Sequence, residues 1–145
     1  MNILVLNGPN LNMLGIREPG IYGRGTYEDL QSLIRAHAQK RGVNISFYQS
    51  NHEGELVDAI QQAYYDGTDG IIFNPAAYTH TSVALLDALK AVRLPAAEVH
   101  LTDIDAREPF RRISYAGMAC VKTYKGLGFQ GYVEAVSLLK DYRRK

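Results

Sequence analysis

The chain has 145 residues, 46% of them hydrophobic and 21% charged, and carries a formal net charge of +1 at pH 7. That length and balance predict a single domain over residues 1–145 with a core of its own, and they exclude the net basic charge of a nucleic-acid or membrane-surface binder. The one cysteine, Cys120, rules out an internal disulfide, no His or Cys cluster has zinc-ligand spacing, and no signal peptide or long apolar span is visible, so a cytoplasmic protein is expected.

Residues 2–7 form a short apolar run and read as a buried strand. The run ends at Asn7-Gly8-Pro9-Asn10-Leu11-Asn12, a turn dense in carboxamides, and a glycine-punctuated loop containing Arg17 and Tyr22 follows. Thr26 with Asp29 three residues later has the spacing of a capping box. The helix it opens places Leu30, Leu33, Ile34 and Ala38 on one face, and Gly42 stops it. Val43 to Gln49 alternates as a second strand, and Gly54 to Tyr65 is a second helix.

Gly70 to Phe73 is a third strand, ending at Asn74-Pro75. Ser82 to Val92 is a third helix, Pro95 to Leu101 a fourth strand, Cys120 to Thr123 a short fifth strand, and Gly131 to Tyr142 a final helix. Cys120 reads as a small buried residue, and Arg143-Arg144-Lys145 as a solvated helix end. Strands alternating with helices predict right-handed crossovers and a parallel α/β sheet. By analogy with chains of this length, the expected architecture is a flavodoxin-like three-layer sandwich of five parallel strands in the order 2-1-3-4-5.

Polar residues recur at the strand ends, which share one rim in a doubly wound sheet. Strand one ends in Asn7 and Asn10, strand three in Asn74 followed by Thr79-His80-Thr81-Ser82, and strand four in Glu98-Val99-His100-Leu101-Thr102. Glu98 and His100 are two apart on a strand and leave the same face, so the carboxylate can fix the imidazole's tautomer and make a proton donor of the pair. It can equally be a structural hydrogen bond. His80 sits near a helix start, where free amides and the neighbouring hydroxyls suit an anion or ligand hydroxyls, or simply cap the helix. Arg107, Arg111 and Arg112 offer guanidinium groups that, taken singly, read as solvated. Asp87 reads as an exposed helix residue, and His37 and His52 as unremarkable surface residues.

Five segments taken together resemble type II 3-dehydroquinate dehydratase. They are Leu6 to Leu11, Gly15-Ile16-Arg17-Glu18-Pro19 with Tyr22-Gly23, Asn74 to Ser82, Glu98-Val99-His100, and Ala106 to Arg111. The similarity runs from residue 2 to the Gly128–Tyr132 region. The resemblance implies a lyase that dehydrates 3-dehydroquinate to 3-dehydroshikimate by anti elimination through an enolate, without cofactor, metal or lysine Schiff base. The step serves aromatic amino-acid and chorismate biosynthesis (the shikimate pathway) or quinate breakdown.

Carried over by motif, Tyr22 is the base that removes the proton next to the ketone, with Arg17 beside it. A free tyrosine ionises near pH 10, and a neighbouring cation favours phenolate by about 1–3 units in comparable pairs. Asn10, through an ordered water, stabilises the enolate, and His100 protonates the departing hydroxyl. Asn74 and the backbone amides of Leu101 and Thr102 hold the substrate carboxylate, while His80 and Arg111 hold ring hydroxyls. Glu98 supports a histidine of the pocket, His80 being the expected partner. The loop from Arg17 to Arg24 opens and closes over the substrate. The resemblance also implies a homododecamer, a tetramer of trimers, in which Asp87 reaches a neighbouring subunit's site, and it implies neither a nucleic-acid nor a membrane partner.

Thr102-Asp103 stands where the family usually has Ser-Asn, Asp105 where an aromatic or histidine is common, and Arg112-Ile113 where a histidine pair is usual. Asp103 adds negative charge near an anionic substrate unless it points away. The alternatives are a non-catalytic flavodoxin-like ligand-binding or signalling module and an inactive scaffold. A phosphoacceptor module lacks its acidic cluster after strand one, and a flavin carrier lacks its Ser/Thr-rich phosphate loop. The presence of Asn10, Arg17, Tyr22 and His100 together argues against a scaffold.

Overall fold

The structure is a computed structural model that describes residues 1–16, 18–22 and 24–142, without the side chains of Pro19 and Tyr22. Arg17, the phenol of Tyr22, and the Arg143-Arg144-Lys145 cluster therefore lie outside the described residues. The elements are β1 (Asn2–Asn7), α1 (Pro19–Tyr22), α2 (Tyr27–Lys40), β2 (Asn44–Gln49), α3 (Glu53–Tyr65), β3 (Gly70–Asn74), α4 (Val83–Val92), β4 (Ala96–His100), β5 (Lys122–Lys125) and α5 (Gln130–Asp141). All strands are parallel and lie in the order β2-β1-β3-β4-β5, the flavodoxin-like order expected.

The sheet is packed on both sides, as a parallel sheet requires. On one face Ile3, Val5, Ile72, Ala97 and Val99 meet Leu30 and Ile34 of α2 and Tyr132, Val136 and Leu139 of α5. On the other, Leu4, Leu6, Ile71, Phe73 and Ala96 meet Leu56 and Ile60 of α3 and Leu85 and Leu89 of α4. The central strands β1, β3 and β4 are buried almost throughout, whereas the edge strands β2 and β5 are half exposed.

The capping box at Thr26 forms in full: its hydroxyl accepts from the Asp29 amide, and the Asp29 carboxylate accepts from the Thr26 amide. Three expectations need correction. Leu33 is 41% exposed; it sits on the flank of the α2 stripe, one-sixth of a turn from Leu30. The fifth strand begins at Lys122, because the apolar run before it is a tight 3-10 turn over Ala116–Ala119 whose end, the Cys120 amide, donates to Gly117 O. Cys120 is only partly buried, its thiol donating to Ala116 O, and burial first, then the nearby charge of Glu98, push it up to about 12.

The β1 and β3 exits are pressed together. The Gly8 amide donates to Asn74 O at 2.8 Å, and a Cβ at Gly8 would meet the Pro75 carbonyl carbon at 2.7 Å. Both are backbone groups that cannot swing aside. Gly8→Ala is expected to destabilise the protein by about 1–3 kcal/mol through overpacking, read as a lower urea midpoint. An unchanged midpoint would contradict this close approach.

Candidate active site

Strand order reverses between β1 and β3, and ligands of open parallel sheets bind beyond the strand ends at such a point. There a cleft is lined by Asn10, Asn74, His80, His100, Thr102 and Arg111, with Arg107 and the apolar Leu11, Ala76 and Ile104. Leu101 completes the wall between His100 and Thr102. The exits of β1, β3 and β4 thus bring together in one cleft residues far apart in sequence.

Asn10 is in the left-handed region (φ 70°), where Asn is among the side chains best tolerated. Its amide donates to Asn51 Oδ1, which also accepts from Gln49 Nε2, while the Asn51 carbonyl accepts from Tyr78. Asn51 was not apparent from sequence, since a lone carboxamide after an edge strand carries no pattern. After β3, Asn74 Oδ1 accepts from the amide of Ala76, whose φ of 54° is a strained value for alanine. This bond holds the turn that faces the cleft.

Glu98 and His100 leave β4 on one face, as their spacing requires. His100 Nε2 donates to Glu98 Oε1 at 2.7 Å, so Glu98 supports His100 and not His80, correcting the expected partner. Glu98 is fully buried and also accepts from Ser114 on Oε1 and from Thr123 on Oε2, the latter at 2.7 Å. Burial pushes this carboxyl up, but the hydrogen bond and charge of His100 with the two hydroxyls outweigh it and hold the pKa below the usual value. The packing is tight: a Cβ at Gly117 would run into Glu98 Oε2 and lie 2.9 Å from Ser114 Oγ. Ser114 and Thr123 are further residues that the sequence reading missed. With Nε2 committed to Glu98, Nδ1 is the nitrogen left for a ligand.

His80 is held differently. Its Nδ1 donates to Ile113 O at 2.8 Å, leaving Nε2 as an acceptor. Burial first, then the charges of His100 and Arg111, lower its pKa against the opposing pull of that hydrogen bond and Glu98. The ring is therefore neutral at pH 7 and suited to accept a ligand hydroxyl. Arg111 lines the same wall, its Nε donating to Glu108 at 2.5 Å. Arg107, read singly as solvated, also lines the cleft.

The family model of class II dehydroquinase matches residues 1–140. The chain belongs to the class II dehydroquinase family. It is 53% identical over 143 residues to a 3-dehydroquinate dehydratase of Corynebacterium glutamicum, covering 98% of this chain and 97% of that one. It is 50% identical over 139 residues to one of Caldicellulosiruptor bescii, covering 96% of each. The solved type II dehydroquinase of Butyrivibrio crossotus superposes with a TM-score of 0.96 at 47% identity, over 97% of this chain and 98% of that one.

The departures from the usual dehydroquinase pattern find places in the fold. Asp103 turns its carboxylate onto the Asp105 amide, capping a 3-10 turn at Ile104–Ala106, and does not line the cleft. Asp105 pairs with Lys125 at the end of β5. Asp87 is exposed on α4, away from the cleft lining of its own chain. His37 bonds Ser137 across α2 and α5, and His52 occupies the N-cap position of α3. Among the described residues, no helix is long and apolar enough to cross a membrane.

Proposed function

We propose that this dehydroquinase removes water from 3-dehydroquinate to give 3-dehydroshikimate by anti elimination, using its own side chains. The observation that carries the reading is the His100 ring, held by buried Glu98 on the wall shared by Asn10, Asn74, His80 and Arg111. Tyr22, as phenolate aided by the charge of Arg17, takes the proton from the carbon next to the ketone. The electron pair moves onto the ketone oxygen, and Asn10 stabilises the resulting enolate. As the enolate collapses, the carbon–oxygen bond β to the carbonyl breaks. His100 gives its Nδ1 proton to the departing hydroxide, and water leaves.

For that step the ring must be imidazolium, with one N–H on Glu98 and the other toward the substrate. The carboxylate of Glu98 compensates that charge where water cannot. Preorganised donors at a developing oxyanion contribute about 10²–10³ in rate. Asn74 and the amides of Leu101 and Thr102 take the substrate carboxylate, and His80 Nε2 and Arg111 take ring hydroxyls. Asp87 serves a neighbouring subunit within a dodecamer of trimers, and the enzyme works in the cytoplasm. Purified protein given 3-dehydroquinate should generate the ultraviolet absorbance of a conjugated enone; a folded protein that leaves the spectrum unchanged would overturn the reading.

A further inference from the structure

Asn7 and Asn74 stand side by side at the ends of β1 and β3, in register and on the face covered by α5. Between them lies the phenol of Tyr132, which is fully buried. Its hydroxyl donates to Asn7 Oδ1 at 2.7 Å and accepts from Asn74 Nδ2 at 3.1 Å. Asn7 Nδ2 in turn donates to the Tyr27 hydroxyl at 3.3 Å.

One backbone group fixes the direction of this whole chain. The Ala76 amide is a donor and needs an oxygen, so Asn74 must present Oδ1 to it and Nδ2 to Tyr132. Tyr132 then has to accept from Asn74 and spend its single hydrogen on Asn7, which must present Oδ1 to it and Nδ2 to Tyr27. Desolvation pushes the Tyr132 phenol well above the usual tyrosine value, so it stays protonated and keeps both bonds. Asn74 is left with one uncommitted N–H, on the side chain that lines the cleft.

We infer that Tyr132, supported by Asn7, is a positioning residue that aims the free amide hydrogen of Asn74 at the carboxylate of the substrate. The ligand chemistry rests on the dehydratase reading above; the aiming of Asn74 does not. Without the phenol, Asn74 keeps one anchor, the Ala76 amide, and swings about it.

The test is Tyr132→Phe, which keeps the ring's volume. Its KM for 3-dehydroquinate should rise about three- to tenfold, the value of one lost hydrogen bond, with kcat changed less than about twofold. Added to Asn74→Ala, the same change should raise KM no further. A substrate-free measurement stands beside these: in the wild-type protein one Nδ2 hydrogen of Asn74 should be protected from solvent exchange by nuclear magnetic resonance, and in Tyr132→Phe that protection should vanish. A folded Tyr132→Phe protein with wild-type KM, additive effects in the double variant, or two fast-exchanging Asn74 hydrogens in the wild type would each overturn the inference. Should Tyr132→Phe not fold, the wild-type exchange measurement decides alone. Wild-type protein inactive on 3-dehydroquinate yet showing the protected hydrogen would sink the dehydratase reading and leave the aiming of Asn74 standing.

Discussion

Glu98→Gln should leave the protein folded and lower kcat by about 10², the lower end of what general acid catalysis contributes. Glu98→Ala should in addition destabilise it by about 3–5 kcal/mol, as removal of one partner of a buried pair does. The difference follows from geometry. Glutamine can still accept from His100 and Ser114 on its oxygen while its amide meets the Thr123 hydroxyl. Alanine leaves all three without the acceptor they now share. Neither substitution leaves a negative charge beside His100, so the imidazolium proposed to deliver the proton loses its compensation.

The stability effect has a defined pH window. The folded carboxyl of Glu98 is held below its ordinary value of 4.5. A lowered acid contributes stability that is present above the unfolded value and lost as pH falls through the folded one. Wild-type stability should therefore decline on acidification below pH 4.5, and Glu98→Gln should lack that part of the decline. Urea unfolding and kcat measured on the two variants check both statements. Wild-type kcat in folded Glu98→Gln would remove Glu98 from the account of proton delivery.

Tyr22→Phe should reduce turnover at least about 10³-fold, within the range for loss of a general base, while leaving the fold and assembly unchanged. The substitution removes one oxygen, and the phenol is assigned no other task. Arg17→Ala should act through that oxygen: without the guanidinium the phenolate is scarcer at neutral pH, so kcat falls and the activity profile moves to higher pH. Steady-state kinetics with gel filtration separates these outcomes. Near-normal turnover by a folded Tyr22→Phe protein would end the base assignment, and a change in KM alone for Arg17→Ala would end the tuning role.

The architecture was legible because its signals are local. Alternating apolar runs, the Thr26–Asp29 capping box and the glycine at position 42 place the α/β elements within a residue or two, except α1 (Pro19–Tyr22), a single turn that lies inside the segment read as a glycine-punctuated loop. The fifth strand slipped because Ala116, Ala119 and Cys120 pack into the core on the α3–α4 side while Met118 and Val121 lie exposed, and periodicity over so few residues does not separate such a turn from a strand. In the site, the spacing of Glu98 and His100 puts them on one face, yet the resemblance points to His80 as the partner of Glu98; the fold sets the His80 ring on the Ile113 carbonyl and leaves the Glu98 carboxylate to His100.

The supporting groups were not legible at all. Ser114, Thr123, Asn51 and Tyr132 reach the strand ends from segments between 16 and 58 positions away from the groups they hold. Their identities are ordinary: the β4–β5 register sets Thr123 opposite Glu98, α5 carries Tyr132 under the ends of β1 and β3, and Ser114 and Asn51 come from loops. Asp103 shows the same limit from the other side. Sequence placed an unwelcome charge near the substrate, and the fold spends that carboxylate on the Asp105 amide.

The measurement that tests the central claim most directly is a spectrophotometric assay of purified protein with 3-dehydroquinate in excess chelator, beside a sample treated with borohydride. Absorbance of the conjugated product rising equally in both is the predicted result, because the proposed proton transfer by Tyr22 and His100 needs neither a metal ion nor an imine. A folded protein that produces no absorbance, or whose activity is lost to chelator or borohydride, would contradict the account.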